Sequence, residues 1–398
     1  MTSLPIVEYV TVFVALYATI FYFLLLFQSR RKLYSEPSLL PDSTLPSVSI
    51  VIPVLNEAGT ISKTLDSVLN LNYPKSKLEI IVVDDESTDD TVNEVQSFAK
   101  YGVKLVRHVH CGVGKSSALN AGIRIATGEL IATLDSDSFP SRDSLRRLAS
   151  FFADNSITAV TAAVKVYSPR NWLEKLQSVE YLFVFFTRRL LSFVDSVTVT
   201  PGPMSVFRKN VFDKVGLFDE TSILEDQEMA YRLQARNYKI LSSLSAEVYT
   251  QVPAKFSDLL RQRVRWNRGG MRNVFKHRKL LNPRYGDLGI VILPMSLLTV
   301  ILIFAIFASV IWQIISGQFF SWFSLEAFIY TLGGIQVVSA ILLLIGIAWL
   351  LIGRKLFEDK QLVSLPRLFA FLFAYTYFTS IFWIATIGEE LFGKKQKW

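Results

Sequence analysis

Four stretches of this chain carry no charged side chain over lengths that match a bilayer: residues 9–27, 288–315, 327–352 and 368–388. A hydrocarbon core of roughly 30 Å takes about 20 helical residues to cross. A composition of 51% hydrophobic and 19% charged residues, with mean hydropathy +0.35, fits a membrane protein rather than two soluble domains. Between the first and second stretches lies a largely polar block, residues 28–287.

The first stretch has no Lys or Arg before it and Arg30, Arg31 and Lys32 directly after it, the reverse of a cleavable signal. It reads as a retained anchor. With Lys276, Arg278, Lys279 and Arg284 ahead of the second stretch, the positive-inside rule puts the N-terminus outside and the polar block in the cytoplasm of a cell-membrane protein. Loop 316–325 lacks Lys and Arg and is expected outside; Arg354, Lys355, Lys360 and Arg367 mark the next connection as cytoplasmic. That leaves the tail outside despite Lys394, Lys395 and Lys397. The single cysteine, Cys111, excludes an intrachain disulfide framework. The net charge of +8 suits anionic lipid headgroups and an anionic substrate, and no nucleic-acid motif competes for it.

Within the polar block, the apolar runs VSIVIP (48–53), EIIVVDD (79–85) and LIATLDSD (130–137) alternate with helical patterns such as TISKTLDSVLNL and SSALNAGIRIA. This is the βαβ rhythm, which predicts an α/β fold with a parallel sheet covered by helices. Ligands of such sheets bind beyond the carboxyl ends of the strands. All three runs turn polar there, at Asn56 and Glu57, Asp84 and Asp85, and Asp135 and Asp137. Residues two apart at a strand end share a face, so Asp135 and Asp137 face one ligand while Ser136 turns away. Two such carboxylates repel unless a cation joins them, and Mg2+ or Mn2+ suits carboxylate and phosphate oxygens. On spacing alone, a turn of solvated aspartates is the commoner explanation; the other strand ends shift the balance.

In order along the chain, VSIVIPVLNE, IIVVDDESTDDT, GKSSALNAGI, LDSDS, LEDQE and RQRVRW resemble the pattern of glycosyltransferase family 2 on the GT-A fold, over about residues 48–270. The resemblance is to its membrane-integrated branch, which includes hyaluronan, chitin and cellulose synthases and ceramide glucosyltransferase. It implies a Rossmann-like GT-A domain at 45–285, an N-terminal transmembrane anchor at 1–30, and a C-terminal transmembrane region of about three helices at 286–398. Two helices near 171–194 and 255–281 are expected in the membrane interface: YLFVFFTRRLLSFV is too short and basic to span, and FSDLLRQRVRWNRGGMRNVF is basic and amphipathic.

The resemblance also distributes roles. Pro53, Asn56, Glu57, Asp84, Asp85, Lys115 and Asp135 would bind a nucleotide-diphosphate sugar, expected to be a UDP-sugar. Asp84 and Asp85 would accept hydrogen bonds from base and ribose, beside Lys115. Asp137, with Asp135, would hold the metal that stabilises the departing diphosphate. Asp226 would be the general base in an inverting displacement. Glu225 and the Q-x-x-R-W residues Gln262, Arg265 and Trp266 would serve diphosphate and acceptor. Structural explanations stand beside each: an Asx turn or N-cap for Asp84 and Asp85, helix capping for Glu225 and Asp226, and headgroup anchoring for Arg265 and Trp266.

GVGKSS imitates a Walker A loop but has Val109 where glycine is required. His108, His110 and Cys111 lack a second cluster to complete a zinc site. The acceptor remains open between a growing β-linked glycan and a polyprenyl or glycolipid. One span before and three after the block resemble the chitooligosaccharide synthases and favour the glycan. Leu224, where some polysaccharide synthases carry threonine, and no counterpart of the cellulose synthase gating loop after Trp266 favour the lipid. A non-catalytic nucleotide-sensing subunit is a third reading. Four spans are few to enclose a polysaccharide, so a polymerase of this size is expected either to act as a homo-oligomer or to stop at short oligomers.

Overall fold

The computed structural model describes residues 4–108, 114–317, 334–355 and 364–393. An apolar helix, α1 (Leu4–Ser29), leads into β1 (Val48–Val54), α2 (Ile61–Leu69), β2 (Leu78–Asp84), α3 (Thr91–Ser97), β3 (Val103–Arg107), α4 (Lys115–Ile125) and β4 (Leu130–Thr133). Strands β3, β2, β1 and β4 lie side by side and parallel, as the alternation of runs predicts. Every residue of β1 is buried, because helices cover both faces. Ile50 and Ile52 pack with Leu65, Val82 and Leu148 on one side. Val51 packs with Ile81, Leu119 and Ile123 of α4 on the other. Full burial of each such side chain stabilises the fold by about 1.5–3 kcal/mol.

The remaining half of the sheet departs from the parallel expectation. Next come β5 (Ser138–Pro140), α5 (Ser144–Ser150), β6 (Ile157–Val166), α6 (Trp172–Leu191), β7 (Ser205–Arg208), α7 (Asn210–Val215), α8 (Glu225–Gln234) and β8 (Lys239–Thr250). The full order is β3-β2-β1-β4-β7-β6-β8-β5. Strand β7 is antiparallel to β4 and β6, β5 is antiparallel to β8, and β6 and β8 are parallel. The sheet is therefore mixed.

The run read as one strand over 130–137 stops at Thr133. Its neighbour β7 runs out opposite it at Ser205, since Met204 turns with φ +56° and Pro201 and Pro203 cannot donate ladder bonds. The chain then turns, Ser138 N donating to Asp135 O at 3.1 Å.

After β8 come α9 (Phe256–Lys276) and a π-helical turn at Leu288–Ile292 that runs into α10 (Leu293–Ile315), then α11 (Gly334–Arg354) and α12 (Leu365–Leu391). Among the described residues, three helices are long and apolar enough to cross a membrane, over Tyr9–Ser29, Leu288–Ala305 and Leu365–Leu391, and Ile341–Arg354 is a shorter apolar helix. Residues 327–333 of the third expected span, most of loop 316–325, Lys360, the tail lysines, Val109, His110 and Cys111 lie outside the described residues.

Helix α6 is where sheet and apolar helices meet. Its Leu182, Phe185, Phe186 and Leu190 are buried against Leu25 and Leu26 of α1, Trp349 and Leu350 of α11, and Leu368 of α12. Buried Arg189 ties the same junction, donating to Leu33 O at 3.2 Å, Ser35 O at 2.8 Å and Ser242 O at 2.8 Å.

Candidate active site

The carboxyl edge of β1, β2 and β4 meets the N-termini of α4 and α8. Gly114 takes φ +87° and starts α4 at Lys115. A Cβ at Gly122 would strike Val51 and sit 3.0 Å from Val83 Cγ2, so only glycine lets the helix lie this close to the sheet. Asn120 fixes the helix from its other side, donating to Phe218 O and accepting from Phe218 N, both at 2.9 Å. Lys115 Nζ thereby lies 2.5 Å from Asp135 Oδ1 and 3.1 Å from Glu225 Oε1. The first contact is ionic without hydrogen-bond alignment, so Asp135 Oδ1 is shut from solvent yet accepts no aligned donor. Burial alone would lower the lysine pKa; Asp135 and then Glu225 outweigh it and raise it.

Asp135 and Asp137 are half-buried and Ser136 between them is buried, but all three lie in the turn that follows β4 and not on the strand that their alternation assumes. Asp137 Oδ1 accepts from Ser138 Oγ at 3.2 Å and Thr250 Oγ1 at 3.3 Å. Burial, then the charge of Asp135, push its carboxyl up to about 6. Glu57 belongs to the same cluster: burial and then Asp137 raise it to about 7. Asp137 and Asp135 offer the hard, mutually repelling oxygen donors that Mg2+ or Mn2+ takes, but Asp135 Oδ1 is engaged by Lys115, and among the described residues no group of three or more His, Cys, Asp and Glu side chains stands together as a metal site.

Asp226 stands in the first turn of α8. Thr200 holds its backbone, Oγ1 donating to Asp226 O at 2.8 Å, and Gln227 N donates to its Oδ1 at 2.7 Å. Burial first, then Glu225, push its carboxyl well above the usual range, to about 7, against the opposing charge of Lys115. A carboxylate poised there exchanges a proton near neutral pH.

The other expected residues are placed as follows. Asp84 and Asp85 are 4% and 7% exposed. Asp84 Oδ1 accepts from Ser87 N at 3.2 Å, a local turn contact, while Asp85 Oδ1 is buried without a hydrogen bond among the described residues and burial raises its pKa. Neither caps α3, whose N-cap is Asp90. Pro53 is buried within β1, paired with Val83. Asn56, at φ +55°, knits two loops: its Oδ1 accepts from Thr88 N at 2.8 Å and its N donates to Ser87 Oγ at 2.9 Å. His108 makes a 2.8 Å hydrogen bond to Ser117 Oγ.

The Q-x-x-R-W residues ride on α9, which is docked on the approach to α8. A Cβ at Gly269 would lie 2.6 Å from Leu224 Cβ, and Asn273 Nδ2 donates to Leu224 O at 2.9 Å. Trp266 carries Arg263 over one ring face at 3.9 Å, and Arg263 pairs with Glu180 of α6 at 2.7 Å. Gln262 Oε1 is shut off without a hydrogen bond among the described residues, and Arg265 is half-buried. On the far side Arg268 and Arg272 clamp Glu390 of α12 at 2.7 and 2.9 Å.

Three features escaped the sequence reading. Gly202, in TPGPMS, packs against the ion pair, where a Cβ would lie 2.5 Å from both Lys115 Nζ and Asp135 Oδ2. Tyr181 of α6 feels Arg263 and Glu180 as well as Asp137 and Asp135, and burial raises its pKa. Arg188, seven residues on and so on the same helix face, feels the charge of Asp226. Its Nη1 is shut from solvent and has no hydrogen-bond partner among the described residues. Burial lowers Arg188 only to about 10, so it stays charged at neutral pH. A cation inside an otherwise apolar helical run was the available signal, and the membrane-interface reading absorbed it.

Residues 49–216 match the Glycosyl transferase family 2 domain. This chain carries a family 2 glycosyltransferase domain. It shares 33% identity over 239 residues with the Bacillus subtilis (strain 168) protein named "Probable glycosyltransferase YdaM", covering 58% of this chain and 57% of that one. A Staphylococcus epidermidis poly-β-1,6-N-acetyl-D-glucosamine synthase is 31% identical over 268 residues, 67% of this chain and 62% of that one. The match thus spans less than two thirds of either relative's length. A mannosyltransferase from Pyrobaculum calidifontis, solved with GDP-Man and Mn2+, superposes over 98% of this chain and 100% of its own, with a TM-score of 0.68 and 21% identity. At that identity the likeness shows the fold: GT-A, with apolar helices before and after the domain.

Proposed function

We propose that this chain is a membrane-embedded, inverting glycosyltransferase that moves a sugar from a nucleoside-diphosphate donor onto a hydroxyl of a growing β-linked glycan. The convergence of Lys115, Asp135, Asp137 and Glu225 beside Asp226 carries this reading. In the displacement, the acceptor oxygen attacks the anomeric carbon as the bond from that carbon to the diphosphate oxygen breaks. Asp226 takes the hydroxyl proton, and the nucleoside diphosphate leaves with the bond's electron pair. Asp137 and Asp135 would hold a divalent cation, which when bound would supply positive charge to the departing diphosphate. Arg188 adds a second cation from the α6 side, and buried Asp84 and Asp85 offer acceptors to base and ribose. Trp266 offers its remaining face to the acceptor sugar.

The named relative that makes poly-β-1,6-N-acetyl-D-glucosamine favours a glycan over a lipid acceptor and makes an N-acetylglucosamine donor the first to test. The basic residues flanking the apolar helices favour a cytoplasmic catalytic domain. Purified full-length protein with Mn2+ is offered UDP-N-acetylglucosamine, UDP-glucose and GDP-mannose, nucleoside diphosphate release is measured, and products are separated by size. One donor turned over to a ladder or polymer is expected. A single lipid-extractable glycoside would refute the glycan acceptor, and no release with any donor would refute the enzyme.

A further inference from the structure

We propose that the cleft between α6 and α12 is a binding site for the headgroup of an anionic membrane phospholipid, an inference that rests on the membrane-embedded reading. A cavity of about 300 Å3 lies there, lined by Trp172, Lys175, Leu176, Arg367 and Ala370. Among the described residues that line it, two are cations and none is a carboxylate. Lys175 makes no ion pair among the described residues. The nearest acid in sequence, Glu174, is engaged elsewhere, accepting from Asn171 N at 2.9 Å and Arg170 N at 2.5 Å in a capping box.

Depth argues for a lipid. Arg367 is in the first turn of the apolar helix Leu365–Leu391, which places it near the end of the hydrocarbon layer, at headgroup level. Trp172 is 64% exposed, as an indole seated at the interface is. Leu365 and Phe369, either side of Arg367 on the same helix, are also exposed and offer surface to acyl chains. Basic pockets between membrane helices select anionic headgroups through their phosphate. A choline headgroup brings its own cation against Lys175 and is disfavoured. None of the residues lining the cleft belongs to the catalytic cluster.

Native mass spectrometry of the full-length protein, offered equal amounts of dioleoyl-phosphatidylglycerol and dioleoyl-phosphatidylcholine, tests the site. Phosphatidylglycerol adducts should exceed phosphatidylcholine adducts by at least about fivefold in wild type and approach parity in Lys175→Gln/Arg367→Gln. No preference in wild type, or the same preference in both proteins, overturns the proposal. Should the double variant fail to fold, quenching by brominated lipids, taken as wild type minus Trp172→Phe, replaces it. Stronger quenching of Trp172 by brominated phosphatidylglycerol is expected, and equal quenching by both lipids overturns the site. Neither readout involves sugar transfer, so a failure here is separate from a failure of the glycosyltransferase reading. Failure of the protein to float with vesicles would sink the membrane reading itself.

Discussion

Lys115 Nζ sits 2.5 Å from Asp135 Oδ1 and 3.1 Å from Glu225 Oε1, so one cation joins the end of β4 to the start of α8. Lys115→Met removes that cation and leaves neighbouring carboxylates uncompensated. Loss of one partner of a fully buried pair costs about 3–5 kcal/mol. With these side chains 22% and 25% exposed, screening reduces the expected loss to about 2 kcal/mol. Thermal unfolding and donor titration check this, with donor KM rising at least about tenfold. Unchanged donor affinity would detach Lys115 from the donor site.

Gly202→Ala tests how tightly the 201–204 loop closes on that pair. The added methyl would lie 2.5 Å from Lys115 Nζ and Asp135 Oδ2, displacing one or both. A misplacement of this size should lower kcat/KM about 100-fold and cost about 1–3 kcal/mol of stability. Gly270→Ala, whose methyl meets nothing closer than 3.6 Å, is the control and should be nearly silent. Equal effects from the two variants would deny Gly202 a role at the site.

Activity should require Mg2+ or Mn2+, vanish in EDTA and return on adding either ion. Asp137→Ala should reduce turnover roughly 1,000-fold, because the diphosphate would then depart with its charge uncompensated. Normal turnover by this variant in EDTA would remove the metal role from the aspartate pair.

Arg188→Gln isolates the half-buried cation on α6. If Arg188 faces the diphosphate, calorimetry with Mn2+ should show UDP binding weakened about tenfold and UMP binding unchanged, since a charge-assisted contact to the outer phosphate is lost. Equal weakening of both ligands would mean a folding role instead.

The parallel half of the sheet was legible because β1, β2 and β4 are short apolar runs ending in acids, and a buried parallel strand needs little else. The turn at Thr133 was not, since LIATLDSD stays apolar for one residue past its last ladder pair. The antiparallel β7 was missed for a related reason: SVFR is four residues long and draws its direction from the loop before it. Asp135 and Asp137 could be paired from their spacing. The bridge from Asp135 through Lys115 to Glu225 could not, because Lys115 and Glu225 lie 20 and 90 positions from Asp135 and are brought together only through the packing of α4 and α8. Arg188 and Tyr181 were hidden by composition: a basic, aromatic helix reads as membrane interface whether or not one face of it covers a site.

Asp226→Asn bears most directly on the proposed chemistry. Burial and Glu225 hold the Asp226 carboxyl at about 7, and a general base must be unprotonated. In wild type kcat/KM should therefore fall as pH drops through about 7 and level off above it. The Asn variant keeps the side chain's size and much of its hydrogen bonding while removing basicity. Donor affinity measured by calorimetry should stay within about twofold of wild type while turnover falls about 1,000-fold at every pH. Turnover within about tenfold of wild type, with the acid limb still present, would show that another group takes the acceptor's proton.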